Sequence, residues 1–421
     1  MRSSRDAVER RLEELFQRRR LGAHFTLDTT RALCAALGQP ERRMQFVHIA
    51  GTNGKGSVAA MCTAVLQQDG VRTGLYTSPH LCRYRERFRV DGREITNDEL
   101  AFHLGRVIPL AGLATFFEIS TAVALSWFAE VGVEIAVWEV GLGGRLDATN
   151  VVTPLISVIT RIGLDHEQYL GSTLARIAAE KAGIIKPGVP VVSQAQEPEV
   201  MQALFERSRE LQSPVTILRQ ADLDEFPSPL TGEHQRWNTA LAVAAVRTAR
   251  PSLGRREIEQ GLAGTIWPGR CQEISRMGRG PVVLVDGAHN PMGARALSVE
   301  IERRWGREGS TLIFGALADK NVGEMARVLD PVSAKSLLVP VRSSRSCSAL
   351  DLKRHFPKGA VFSSMSEALT EADRLGKPIV IAGSLFLAGE ALALLNGDAA
   401  AVHPNETLDT AAHKFRDTIG L

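Results

Sequence analysis

Apolar runs of strand length alternate with helically spaced apolar residues along most of the chain. Residues 44–50 read as a strand. Val58, Met61, Cys62, Val65 and Leu66 follow at helical spacing, with Gly70 as the stop. Further strands are expected at 72–76, 134–140, 155–160 and 189–193, and 85–95 reads as a hairpin turning at Asp91-Gly92. The pattern weakens over 207–236, where Pro227, Pro229 and Gly232 mark loops. It recovers as a helix over 237–249 and weakens again around 267–280. A second alternating run has strands expected at 282–286, 311–315, 336–341, 360–362 and 379–382. The expected fold class is α/β: a mostly parallel, doubly wound sheet over residues 1–280, with a linker near 268–280. A smaller Rossmann-like α/β domain is expected over 281–421.

Near the N-terminus Val8, Leu12, Leu15 and Phe16 fall close to helical spacing in a highly charged stretch. That reads as an amphipathic surface helix, without the apolar centre of a secretory signal. The longest apolar region, 120–138, is broken by Glu130 and Glu134, and its uninterrupted part is too short to span a bilayer. A cytoplasmic protein with no membrane attachment is the expectation. Residues 396–421 are polar and Ala-rich and read as either a docked helix or a loose tail.

A length of 421 residues suits two to three domains at ~150 each. With 44% hydrophobic and 23% charged residues, disordered, collagen-like and low-complexity classes are excluded. Fifty Lys and Arg against 47 Asp and Glu leave a net charge of +3. That is too weak a field to point to nucleic acid or a membrane surface, yet compatible with small anions. Five scattered cysteines without metal-type spacing read as packed free thiols of a reducing compartment.

Candidate chemistry begins directly after the first strand, at Gly51-Thr52-Asn53-Gly54-Lys55-Gly56-Ser57. Small residues let backbone N–H groups approach a polyphosphate, the helix N-terminus favours negative charge, and Lys55 adds a point charge. The common pattern G-x-x-x-x-G-K-[ST] is not met, since Ile49 and Gly56 stand at two of its fixed positions. On its residues alone the segment is a variant phosphate loop or a Gly-rich turn without a ligand. Glu139 ends an apolar strand, and Asp165-His166 follow another, so polar groups converge at strand carboxyl ends, where open α/β sheets bind ligands. Glu139 could instead pair with Arg145 or Arg161. Leu174, Ile177, Ala178 and Lys181 are spaced three, four and seven apart, which puts Lys181 on the apolar face of its helix with its charged form disfavoured. A buried ion pair with Asp147 or Glu139 is the other reading of Lys181.

The loop GTNGKGS resembles that of the Mur ligase superfamily. TSPHL (77–81), TFFEIST (115–121), WEVGLGGRLDATN (138–150), DHEQYLG (165–171), EKAGIIKPG (180–188), HQRWN (234–238), WPGR (267–270) and DGAHNP (286–291) continue the likeness in order. Together they resemble the folylpolyglutamate synthase/dihydrofolate synthase family over roughly residues 21–395. The resemblance implies ATP bound through Thr52, Asn53, Gly54, Lys55, Gly56, Ser57, Asn238, Arg270 and Asp286. It also implies Mg²⁺ at two sites held by Ser78, Glu139, His166 and a carbamylated Lys181. Oxygen donors and retained water suit Mg²⁺, whereas His is a less typical ligand. Lys55, Lys181, Arg270 and His289 are the implied catalytic set, with Arg270 suited by its forked guanidinium to bridging phosphate oxygens.

The same likeness implies a pterin site at Phe116, Phe117 and Ser120, although the pattern alone reads as helix entry with a core Phe. Phe25-Thr26-Leu27 matches a pterin-side stretch more weakly. Asp286, His289 and Ser384 match glutamate-binding positions at strand ends of the second domain, and Arg342 and Arg345 are further carboxylate-binding candidates. His289 could otherwise cap the following helix. The implied reaction is ATP-dependent addition of L-glutamate to dihydropteroate or a reduced folate through an acyl phosphate, by a monomer that binds no nucleic acid. A peptidoglycan-precursor ligase, a P-loop NTPase without ligase activity and an inactive nucleotide-binding module are the rivals.

Overall fold

The computed structural model describes residues 2–18, 26–276 and 280–397. Among them, the first sheet comprises β1 (Gln45–Ala50), β2 (Thr73–Tyr76), β3 (Phe88–Val90), β4 (Arg93–Glu94), β5 (Ile135–Glu139), β6 (Ile156–Ile159), β7 (Val191–Gln194) and β8 (Val215–Leu218). Their order is β4-β3-β2-β5-β1-β6-β7-β8, parallel except for the β3–β4 hairpin at one edge. The hairpin turns at Asp91 (φ 50°) and Gly92 (φ 79°), the left-handed pair that a two-residue turn requires.

Strands β1 and β5 are central and covered on both faces, so their sequences are almost continuously apolar. Alternate residues still divide between two cores. Phe46 and Trp138 join helix Phe116–Glu130 on one face. Val47, Ile49 and Val137 join helix Lys55–Gln68 and helix Glu233–Ala249 on the other. Val58, Met61, Val65 and Leu66 of the Lys55–Gln68 helix are fully buried there, and each contributes roughly 1.5–3 kcal/mol of burial. The amphipathic N-terminal helix is present as Arg2–Gln17, with Val8, Leu12 and Leu15 buried against the first core.

The second sheet comprises β9 (Gln272–Ile274), β10 (Val283–Val285), β11 (Ser310–Phe314), β12 (Ser333–Leu338), β13 (Ala360–Val361) and β14 (Ile379–Ala382). Its order is β13-β12-β11-β14-β10-β9, with only β9 antiparallel. Because β9 pairs with β10, this sheet begins upstream of the 280/281 division read from the sequence pattern. Strands β8 and β9 and helix Arg255–Ala263 lie where no element was expected. Most of the expected tail, 398–421, lies outside the described residues. No helix among the described residues is long and apolar enough to cross a membrane.

The in-register pairs Ile49↔Glu139 and Ala50↔Ile159 bring the carboxyl ends of β5, β1 and β6 side by side. The first site is built on that ledge.

Candidate active site

Between β1 and helix Lys55–Gln68, the chain turns through Gly54 at φ 94°. A Cβ there would lie 2.4 Å from Asn238 Oδ1, so the left-handed turn and the close approach of Asn238 both require glycine. The N–H groups of Thr52 and Asn53 donate to Arg161 O at 2.9 and 3.2 Å. Thr52 Oγ1 bonds Gly163 O at 3.0 Å, and the Asn53 side chain reaches Asn290 in the second domain. Thr52 and Asn53, assigned from sequence to the nucleotide, are thus committed to holding the loop. The unpaired first-turn amides belong to the residues that follow, up to Ser57. Behind them Gln235 donates through Nε2 to Ser57 Oγ at 3.3 Å, and its Oε1 accepts from Asn238 Nδ2 at 2.8 Å. Gln235 was missed because HQRWN reads as an ordinary polar helix start.

Two lysines converge on one carbonyl. Lys55 Nζ donates to Gly51 O at 3.2 Å and Thr52 O at 3.3 Å, and Lys181 Nζ donates to Gly51 O at 2.9 Å. Lys181 is buried, with the carboxylates of Asp165 and Asp147 near enough for their charges to act on it. Burial, and after it the nearby Lys55 charge, lower its pKa to about 7. Glu139 ends β5 and accepts from Ser78 N–H at 3.1 Å. Burial raises its pKa against the charges of Lys55, Arg270 and Arg87. Neither alternative partner holds it: Arg145 pairs with Glu180 and Arg161 with Glu197.

His166 sits at φ 53°, and its buried Nδ1 has no hydrogen-bond partner among the described residues. Burial lowers its pKa to about 3, so the imidazole is neutral with a lone pair to offer. A buried, unpartnered imidazole nitrogen beside a buried carboxylate is an expensive arrangement without a ligand, and it fits a cation. Among the described residues no three His, Cys, Asp or Glu side chains are arranged to hold a metal ion by themselves. Such a sparse donor set suits Mg²⁺, which keeps waters and takes phosphate oxygens.

Beside this cluster is a cavity of about 350 Å³ lined from both domains. Ser78, Phe117, Asp147 and His166 come from the first; His289, Lys320, Arg345 and Ser384 come from the second. Phe117 stacks at 6.0 Å on Tyr76 and faces the cavity. Phe116 and Ser120 do not. They lie four apart on one face of the helix, turned from Phe117, where Phe116 stacks on Phe16 at 5.8 Å and Ser120 Oγ donates to Phe116 O at 2.7 Å. Both side chains are buried, Phe116 in the first core, and neither lines the cavity to which the resemblance assigned them. Thr26 lines the cavity, whereas Phe25 lies outside the described residues.

In the second domain Asp286 accepts Cys271 N–H at 2.7 Å and Ala288 N–H at 2.8 Å, one on each carboxylate oxygen. Asp286 therefore sets Arg270 on one side and His289 on the other. Arg270 is near enough for its charge to act on Glu139 of the first domain. His289 Nδ1 bonds Gly287 O at 2.8 Å, leaving Nε2 3.6 Å from Asp165; Asn290, rather than His289, caps the next helix. Ser384 Oγ caps Phe386 N–H at 3.1 Å at the cavity wall. Arg345 lines the cavity and pairs with Asp319, while Arg342 is largely exposed and bonds Glu390.

The sequence reading passed over Lys320, whose Nζ donates to Asp165 at 2.6 Å across the domain boundary. Burial raises the Asp165 pKa, but His289, His166 and Lys320 together hold the carboxyl well below the usual range.

Comparison with known proteins agrees with this geometry. Residues 49–205 match the Mur ligase middle domain, and 269–385 match the Mur ligase, glutamate ligase domain. The dihydrofolate synthase/folylpolyglutamate synthase of Bacillus subtilis is 34% identical over 75% of this chain and 81% of its own length. A probable bifunctional folylpolyglutamate synthase/dihydropteroate synthase of Haloferax volcanii is 33% identical over 90% of this chain, which spans only 49% of that protein. The Mycobacterium tuberculosis folylpolyglutamate synthase, solved with ADP and AMPPCP, superposes with a TM-score of 0.85 at 31% identity, covering 93% of this chain and 99% of the other. With two Mur ligase domains in order and full-length relatives at this identity, the chain belongs to the folylpolyglutamate synthase/dihydrofolate synthase family, whose members are ATP-dependent glutamate ligases.

Proposed function

We propose that this chain uses ATP to activate the carboxylate of dihydropteroate or a reduced folate and joins it to the amine of L-glutamate. The observation that carries the reading is the shared cavity. Ser78, His166 and the aromatic Phe117 line one side of it, and the cationic, hydroxyl-bearing ledge of Lys320, Arg345 and Ser384 lines the other.

A carboxylate oxygen is a poor leaving group. Transfer of the ATP γ-phosphoryl group to it gives an acyl phosphate and ADP. The glutamate amine, once deprotonated, attacks the acyl carbon, and phosphate departs with the C–O bond's electrons. Lys55 would exchange the carbonyls of Gly51 and Thr52 for phosphate oxygens, and Arg270 would face the transferring group. Phe117 would stack on the pterin, while His289, Arg345, Lys320 and Ser384 would orient glutamate. Ser78, Glu139, His166 and a carbamate on Lys181 would hold Mg²⁺ at two sites, which supplies neutralisation of the polyphosphate charge. A monomer acting in the cytoplasm completes the reading.

Purified protein given ATP, Mg²⁺ and labelled glutamate, with dihydropteroate and tetrahydrofolate in separate reactions, tests it by mass spectrometry. A glutamyl amide with either acid supports the reading and identifies the preferred acceptor. ATP hydrolysis without any amide would leave the NTPase rival standing.

A further inference from the structure

Asn53 and Asn290 come from different domains and hold each other twice. Asn53 Nδ2 donates to Asn290 Oδ1 at 3.0 Å, and Asn290 Nδ2 donates to Asn53 Oδ1 at 2.8 Å. Asn290 is 2% exposed, and its carboxamide makes two further bonds. Oδ1 accepts Gly293 N–H at 2.9 Å as a helix cap, and Nδ2 donates to Asp165 Oδ2 at 3.1 Å. Those outer bonds fix which end of the Asn290 amide is oxygen, and the pairing then fixes Asn53. Asp165 carries the line on to Lys320, with both side chains under 10% exposed. A continuous polar path thus leaves the phosphate loop, enters the start of helix Pro291–Trp305 and ends on the Asp165–Lys320 pair.

Neither domain's own fold needs the amide pair. The Asn53 backbone is already held by Arg161 O, and Asn290 caps its helix through Oδ1 alone. A reciprocal pair of this kind, half-buried on the Asn53 side, favours one relative placement of its partners, because any other exchanges two aligned hydrogen bonds for bonds to water.

We propose that Asn53 and Asn290 form an interdomain clasp that sets the phosphate loop and the second domain in one register. They act as positioning residues for the transfer step, not as contacts to either substrate. The neighbour of Asn290 is His289, so seating the clasp also seats that imidazole beside Asp165. The proposal rests on the ligase reading above.

The test compares the full chain with Asn53→Ala, Asn290→Ser and the double variant. Serine keeps a helix cap but is too short to span to Asn53. In the glutamate assay each single change is expected to lower kcat/KM for glutamate by about tenfold, with the double no worse than the weaker single. Calorimetry is expected to find ADP bound by Asn290→Ser within about twofold of wild type. Small-angle scattering with AMPPCP is expected to show the same expansion in all three variants, a readout that holds even where wild type forms no amide and the ligase reading falls. Losses that multiply in the double variant, or variants as compact as wild type, would overturn the clasp.

Discussion

Burying a lysine costs free energy unless something offsets it, and among the described residues Lys181 has only the Gly51 carbonyl as its hydrogen-bond partner. An amine kept neutral in that position is the form that adds carbon dioxide. Native mass spectrometry is expected to find about 44 daltons on Lys181, lost in Lys181→Met. An unmodified, fully active lysine would end that assignment. His48, fully buried on β1, has an Nδ1 without a partner among the described residues and an Nε2 3.0 Å from Thr149 Oγ1. Burial lowers its pKa from 6.5 to about 3. Between those values the unfolded chain binds a proton that the folded chain refuses, so stability is complete above 6.5 and falls as pH drops toward 3. The contribution is about 2 kcal/mol between about pH 6.5 and pH 5, and denaturant titrations should show a shallower pH slope in His48→Gln. Local spacing made Lys55, Glu139 and Lys181 readable, since each sits at a strand end or on a helix face. Lys320 was not readable because its partner Asp165 is 155 positions away, and spacing along a chain does not report a pair across an interface.

At the level of elements, the helix Phe116–Glu130 shows what pattern can and cannot give. Its capping box, Thr115 with Glu118, marks its start in the sequence. Its phase is not marked, because the helix is apolar nearly all round and no polar stripe distinguishes the cavity side. Phe116→Ala is therefore expected to cost roughly 3–5 kcal/mol of stability by leaving a core void. Phe117→Ala should leave stability nearer wild type and raise KM for the pterin-bearing substrate at least fivefold. Paired thermal melts and steady-state kinetics separate the two, and the reverse assignment would show as the opposite split. Strand β9 escaped notice for a related reason: it is an edge strand, and Gln272-Glu273-Ile274 carries almost no apolar signal because one side of an edge faces water. The central strands, buried on both faces, were plain.

Taken whole, the molecule depends on how closely two α/β units approach. Leu81, in the loop after β2, packs on helix Leu385–Leu395 at Gly389, where a Cβ would lie 2.1 Å from Leu81 O. Gly389→Ala is expected to push that loop away, lowering kcat/KM for glutamate by about an order of magnitude while ADP affinity stays near wild type. Unchanged kinetics with an unchanged melting temperature would show that the contact is incidental. The division of the cavity has an evolutionary corollary. The wall proposed to face the acid, with Thr26, Phe117 and Asp147, belongs to the first α/β unit, and the wall proposed to face the amine, with His289, Arg345 and Ser384, belongs to the second. Mutations that alter the taste for one reactant can thus accumulate without disturbing the packing that selects the other, so donor and acceptor preferences are free to drift separately.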